Sequence, residues 1–198
     1  MTDFMPKHTT QIHDLGAPPR ILSQVTDYWT SLRQAGAVPS RAAVDARALG
    51  AALPHVFLAE LVTPRVARLR ICGHQVEHLL DMDMRGMPLS TLFAGAARAD
   101  LTEALAQVAR GVRVTLALQG EDGFGLPMLN AKLVLLPLTD DAGQINRVLG
   151  VLETEGSIGR TPRRFVRAKV TALPDTTASA PAPAPAAPVL RVIQGGRR

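Results

Sequence analysis

Apolar residues recur at Ile21, Leu22, Val25, Tyr28, Trp29 and Leu32, in steps of 1, 3, 3, 1 and 3. This spacing predicts an amphipathic helix. Pro18-Pro19 stops any structure before it, and Gly36 ends it. A connector follows, "VPSRAAVDARALGAALPHVFLAEL", residues 38–61. Asp45 is placed to accept a hydrogen bond from the N–H of Arg47 or Ala48 and so to cap a short second helix. Leu53-Pro54 closes that helix, because a residue before proline disfavours helical backbone.

The period then changes. "HVFLAELV" and "VARLRIC" are short, branched and separated by Thr63-Pro64, which predicts two strands. Alternation in the second puts Ala67, Leu69 and Ile71 inward and Arg68 and Arg70 outward. "HQVEHLLDMDM" (74–84) is a short helix candidate. Residues 96–110 form a longer one, with Leu101, Ala104, Leu105 and Val108 on one face. Three more strands follow: residues 112–119, "MLNAKLVLLPL" (128–138) and "INRVLGVLETE" (145–155), the last with Gly150 as a candidate bulge. "GEDGFGLP" (120–127) joins the first two of these, and Asp140-Asp141-Ala142-Gly143 is a hairpin turn. Two strands, a helical crossover and a three-strand meander predict an α+β fold: an antiparallel sheet with short helices on one face. The expected organisation is a leader at 1–19, a helical extension at 20–52, the sheet domain at 53–156, and a basic, Ala/Pro-rich disordered tail at 157–198.

Charge sharpens that division. The 198 residues carry a net +5, but residues 160–198 hold eight Lys/Arg and one acid, so residues 1–159 sum to −2. A nucleic-acid or anionic-membrane reading therefore rests on the tail alone, and nucleic acid is not the favoured partner. No apolar run is long enough to span a membrane, and the N-terminus has no signal-like apolar core, so a cytoplasmic location is expected. One cysteine, Cys72, excludes an internal disulfide.

The residues "YW" with "LR" after it (Tyr28, Trp29, Leu32, Arg33), "PSR" (Pro39, Ser40, Arg41), Asp45, "LPHVFL", "RLRICG" and "DMRGMPLSTLF" together resemble a bacterial PAS-domain family long catalogued as a domain of unknown function. The resemblance covers residues 21–155. Similar sequences often carry proline just after the Asp; here it is Ala46, which loosens the start of the second helix slightly. The resemblance implies a five-stranded antiparallel sheet cradling short helices, and a sensory or protein-interaction role. It implies no reaction, since PAS folds serve many functions.

Tests for chemistry return little. There is no Gly-x-Ser-x-Gly, and Cys72 in a strand reads as a packing thiol. "GEDGFG" lacks the Lys-Ser/Thr of a phosphate loop. His74 and His78 share a helical face, a spacing that chelates metals, but no third ligand is evident. Residues 96–110 contain no histidine for a haem, and "RICGH" lacks the Asn-Cys-Arg context of a flavin photosensor. No enzyme activity, cofactor or metal is expected. An interior cavity, if formed, would be lined by Leu69, Ile71, Leu79, Leu80, Leu92, Leu105, Leu116 and Leu133, and a filled core is the simpler expectation.

Residues 157–198 are too few for a kinase, cyclase or DNA-binding output domain, so any signal is expected to pass to another protein. Tyr28 and Trp29 either pack on the sheet or mediate a homodimer. The sheet face is a second candidate surface, and Val189, Leu190, Val192 and Ile193 are candidate docking anchors in the tail. Arg41 is expected to tie the helical extension to the sheet by a hydrogen bond or ion pair. The expected function is a cytoplasmic sensor or adaptor acting by protein–protein contact, with a small apolar ligand as an option. The alternative is a nucleic-acid or membrane-surface factor acting through the basic tail.

Overall fold

The structure is a computed structural model and describes residues 20–173. Its centre is a six-stranded antiparallel sheet in the order β2-β1-β5-β4-β3-β6. The strands are β1 (Val56–Thr63), β2 (Val66–Cys72), β3 (Arg113–Gly120), β4 (Leu129–Thr139), β5 (Ile145–Gly156) and β6 (Phe165–Leu173). Four helices accompany them: α1 (Arg20–Ser31), α2 (Ala46–Leu49), α3 (His74–Glu77) and α4 (Ala97–Val108).

Both faces of the sheet are covered. Along β5, Val148 and Leu152 point to one face and Leu149 and Val151 to the other, the period-2 consequence of the pleat. The inner face packs against α3, α4 and a 3-10 turn at Leu89–Leu92. The outer face receives α1, whose Leu22, Val25 and Trp29 are buried against Val134, Leu136, Leu138, Leu149 and Val151. This explains why β4 reads as an unbroken apolar run and not as an alternation: "LVLLPL" is buried on both sides. Pro137 fits this strand because the β3 ladder stops at Val114–Leu135, one step short of it. Its carbonyl instead accepts a 2.9 Å bond from Trp29 Nε1.

The structure corrects four expectations. The sheet has six strands, not five. The sixth is built from "FVRAKVTAL", so the span from 157 onward is not wholly a tail. β6 pairs with β3 along its length, from Gly120–Phe165 to Arg113–Leu173. Alternation of Val166, Ala168 and Val170 with Arg167, Lys169 and Thr171 was the available signal, masked by the density of basic residues. Gly150 is not a bulge: its pairings with Phe57 and Leu135 lie in regular register. It is glycine because a Cβ there would stand 2.0 Å from the Phe57 ring. The bulge lies in β2, where Leu58 pairs with Ile71 but Ala59 pairs with Leu69. The residue between, Arg70, is extra, and it reverses the side to which everything after it points. Ile71 consequently faces outward at 56% exposure, while Leu69 is fully buried.

Candidate functional site

Seven of the eight residues expected to line an interior cavity do meet on the inner face. Leu69, Leu79, Leu80, Leu92, Leu105, Leu116 and Leu133 are all buried in one continuous cluster. Ile71, grouped with them from the sequence, is removed by the β2 bulge.

The open space lies on the other side. Ile71 and the half-exposed Leu53 form part of a groove of about 260 Å³ on the outer face, beside the end of α2. Val44, Leu49, Val56, Leu58 and Leu149 complete its apolar walls, and Arg41 stands at its margin. Gly73 fixes one end. A Cβ on Gly73 would lie 2.3 Å from the Pro54 carbonyl oxygen, so only glycine lets the chain cross there. The Gly73 N–H donates to the Val56 carbonyl at 2.8 Å, locking that crossing.

The connector at 38–55 frames this groove, and the structure gives its conspicuous residues roles. Ser40 Oγ accepts from the Ala42 N–H at 3.2 Å, and the Pro39 carbonyl accepts from the Thr139 N–H at 2.9 Å. Asp45 caps α2 through the Arg47 N–H at 2.9 Å, as its spacing predicted. Tyr28 Oη accepts from the Asp45 N–H at 2.7 Å, and Gln24 Nε2 donates to the Leu49 carbonyl at 3.0 Å. The Arg33 guanidinium lies 5.0 Å from the Trp29 ring centroid. Tyr28 thus braces α1 against the connector, and Trp29 holds the extension to the sheet; the Trp29 ring, 1% exposed, is not available to a partner.

Arg41 does not do what the sequence suggested. Among the described residues its side chain makes no hydrogen bond or ion pair. The extension is tied to the sheet instead by Trp29, bonded to the Pro137 carbonyl, and by the Pro39 carbonyl, bonded to the Thr139 N–H, while Tyr28 and Gln24 brace α1 against the connector. The carboxylate on the neighbouring strand is occupied: Glu60 is held by Arg70 at 2.6 Å and Arg147 at 3.1 Å. The hydrogen bond from Arg70 first, and the charges of Arg147 and Arg70, keep the Glu60 carboxyl below its usual range.

Little else here is reactive. Burial, and then the negative charges of Glu77 and Asp83, push the Cys72 thiol up to about 12, so it is neutral at physiological pH. His74 and His78 are both exposed. Among the described residues no three His, Cys, Asp or Glu side chains gather as a metal site. No helix among them is long and apolar enough to cross a membrane.

The PAS domain family model matches residues 19–153, well over half of the sequence. The chain belongs to the PAS domain family. No curated protein matches it. PAS domains are in general sensory or signalling modules, and that general role extends to this chain. The match stops at residue 153, so the β6 strand lies beyond the span that the family describes.

Beyond that span lies a residue that sequence reasoning missed. Arg163 precedes β6 and is completely buried, the only charged residue among the described ones to be so. It has no carboxylate partner. Its guanidinium donates to the carbonyls of Ile158 (2.6 Å), Glu121 (2.8 Å) and Pro127 (2.9 Å), while its backbone N–H donates to Leu79. One side chain therefore ties the β3–β4 loop to the β5–β6 connection, and the backbone of the same residue adds the turn after α3. The candidate anchors Val189, Leu190, Val192 and Ile193 lie outside the described residues.

Proposed function

We propose that this PAS protein is a cytoplasmic sensory adaptor that acts in signal transduction through contacts with another protein and catalyses no reaction. The observation that carries the reading is the division between the faces. The inner face is packed with leucines and carries no cluster of reactive groups, whereas the outer face presents an open apolar groove bordered by Arg41. Such an exposed concave apolar surface is the usual mark of a binding site. Homodimerisation through the sheet face is one form this contact takes in the proposal.

The tail-based alternative is weakened by β6. Five of its eight basic residues (Arg160, Arg163, Arg164, Arg167 and Lys169) fall within residues 160–173, which are part of the fold, and Arg163 is in its core. Truncation before residue 160 would remove a strand as well as a tail, so the informative deletion begins at residue 174.

The test places a photo-crosslinking amino acid at position 53 or 71 in living cells, with position 167 on β6 as a control. A discrete protein adduct from the groove positions, retained after deletion of residues 174–198, is the expected result. Adducts lost with the deletion, or RNA or lipid as the sole adduct, would favour the tail. Purified protein should also be colourless. A chromophore, or a bound molecule that is chemically converted, would overturn the non-enzymatic reading.

A further inference from the structure

We propose that the outer groove beside Arg41 is a binding site for a small aliphatic carboxylate. The inference rests on the sensory-adaptor reading and supplies its signal; it moves the ligand from the interior, where the sequence suggested it, to the opposite face.

Three observations combine. The first is shape. The groove holds about 260 Å³, just below the usual span for drug-sized ligands, which matches a short hydrocarbon chain. The second is chemistry. Leu53 and Ile71 are 41% and 56% exposed, and a chain laid between them and Leu58 would remove both from water. The third is charge. Arg41 lines the same groove, is only partly exposed, and has a guanidinium with no partner among the described residues. No acid among the described residues pairs with it: Glu60 pairs with Arg70 and Arg147, and Asp45 caps α2 through the Arg47 N–H. A planar fork of N–H donors suits a carboxylate. Among the described residues Arg41 is the one charged residue lining the groove, and one cation matches one negative charge better than the two of a phosphate monoester. The neutral thiol of Cys72 leaves the wall beside it uncharged.

Methyl and amide NMR on the full chain, titrated with octanoate, tests the site. Octanol supplies the tail without the charge, and inorganic phosphate the charge without the tail. Octanoate is expected to shift Leu53, Leu58 and Ile71, and to bind about tenfold or more weakly to Arg41→Gln, the usual effect of losing a charge-assisted hydrogen bond. Octanol should bind more weakly than octanoate and be indifferent to that substitution. The Arg41 side chain makes no hydrogen bond or ion pair among the described residues, so its variant keeps the wild-type spectrum elsewhere; Ile71→Ser is a second variant that removes wall and not charge. Shifts confined to Leu116 and Leu133, equal affinity in Arg41→Gln, phosphate matching octanoate, or the same groove shifts produced by raising protein concentration alone would each overturn the proposal. If octanoate fails while crosslinking at positions 53 and 71 succeeds, only the carboxylate is lost; if both fail, the adaptor reading falls with it.

Discussion

Two arginines divide this molecule. Arg163, at the junction of the β5–β6 connection with β6, is wholly buried and gives its guanidinium to three backbone carbonyls. Arg41, in the connector on the other face, is partly exposed and gives its guanidinium to none among the described residues. The same side chain is a structural clamp in one region and an open donor in the other. What differs is the backbone around it. Loops converge on Arg163 with carbonyls that have no ladder to join, whereas the carbonyls near Arg41 are used by short helical turns. A buried cation needs partners where it stands, and Arg163 finds three through its terminal nitrogens, although its Nε has none among the described residues; an exposed one can wait for a ligand.

The comparison breaks first at Arg163. Arg163→Ala should destabilise the protein by about 3–5 kcal/mol, because it empties a buried volume and strands three carbonyls. Urea denaturation measures this, and a loss below about 1 kcal/mol would mean that water replaces the guanidinium. The next largest contrast lies within β2. Leu69→Ala should cost about 2–5 kcal/mol, whereas Ile71→Ser, two positions away, should cost under about 0.5 kcal/mol. Equal costs would show that the bulge at Arg70 is absent in solution. Gly150→Ala should cost about 1–3 kcal/mol through collision with the Phe57 ring, and part of that should return in the double variant with Phe57→Leu.

The single thiol gives a pH test. Cys72 has its pKa raised from 9.0 to about 12, so the folded state holds a proton that the unfolded state releases first. Its contribution to stability is complete below pH 9 and is lost as pH rises toward 12. Iodoacetamide labelling at pH 9 should therefore be far slower in native than in urea-unfolded protein. The smallest effect is expected at Arg41. Arg41→Ala should leave the melting temperature within about 1 °C of the parent, since its side chain makes no hydrogen bond or ion pair among the described residues. A clear drop would restore the anchoring role that the structure gives to Trp29 and the Pro39 carbonyl.

Much of this fold was legible in the chain. The stripe from Ile21 to Leu32 specifies α1, Asp45 specifies a cap, and the alternations in β2 and β3 specify strands, because each depends only on neighbours in sequence. The motif residues shared with the PAS family were also visible, though not their roles. Gly150 does not mark a bulge; it admits the Phe57 ring, as Gly73 at the end of β2 admits the Pro54 carbonyl, both from distant parts of the chain. β6 was obscured because Arg163, Arg164, Arg167 and Lys169 look like a solvated tail until β3 offers them an edge.

The sequence by itself therefore determined the elements other than β6, the family and most of the apolar inventory of the core, since local periodicity and composition decide those. The tertiary structure alone decided which side of the sheet Ile71 faces. A single extra residue at Arg70 inverts the pleat, and no period-2 pattern records where a partner strand slips. It also decided which arginine is spent and which is free. That choice belongs to carbonyls contributed by segments up to 42 residues apart in the chain, and they meet only after the sheet has formed.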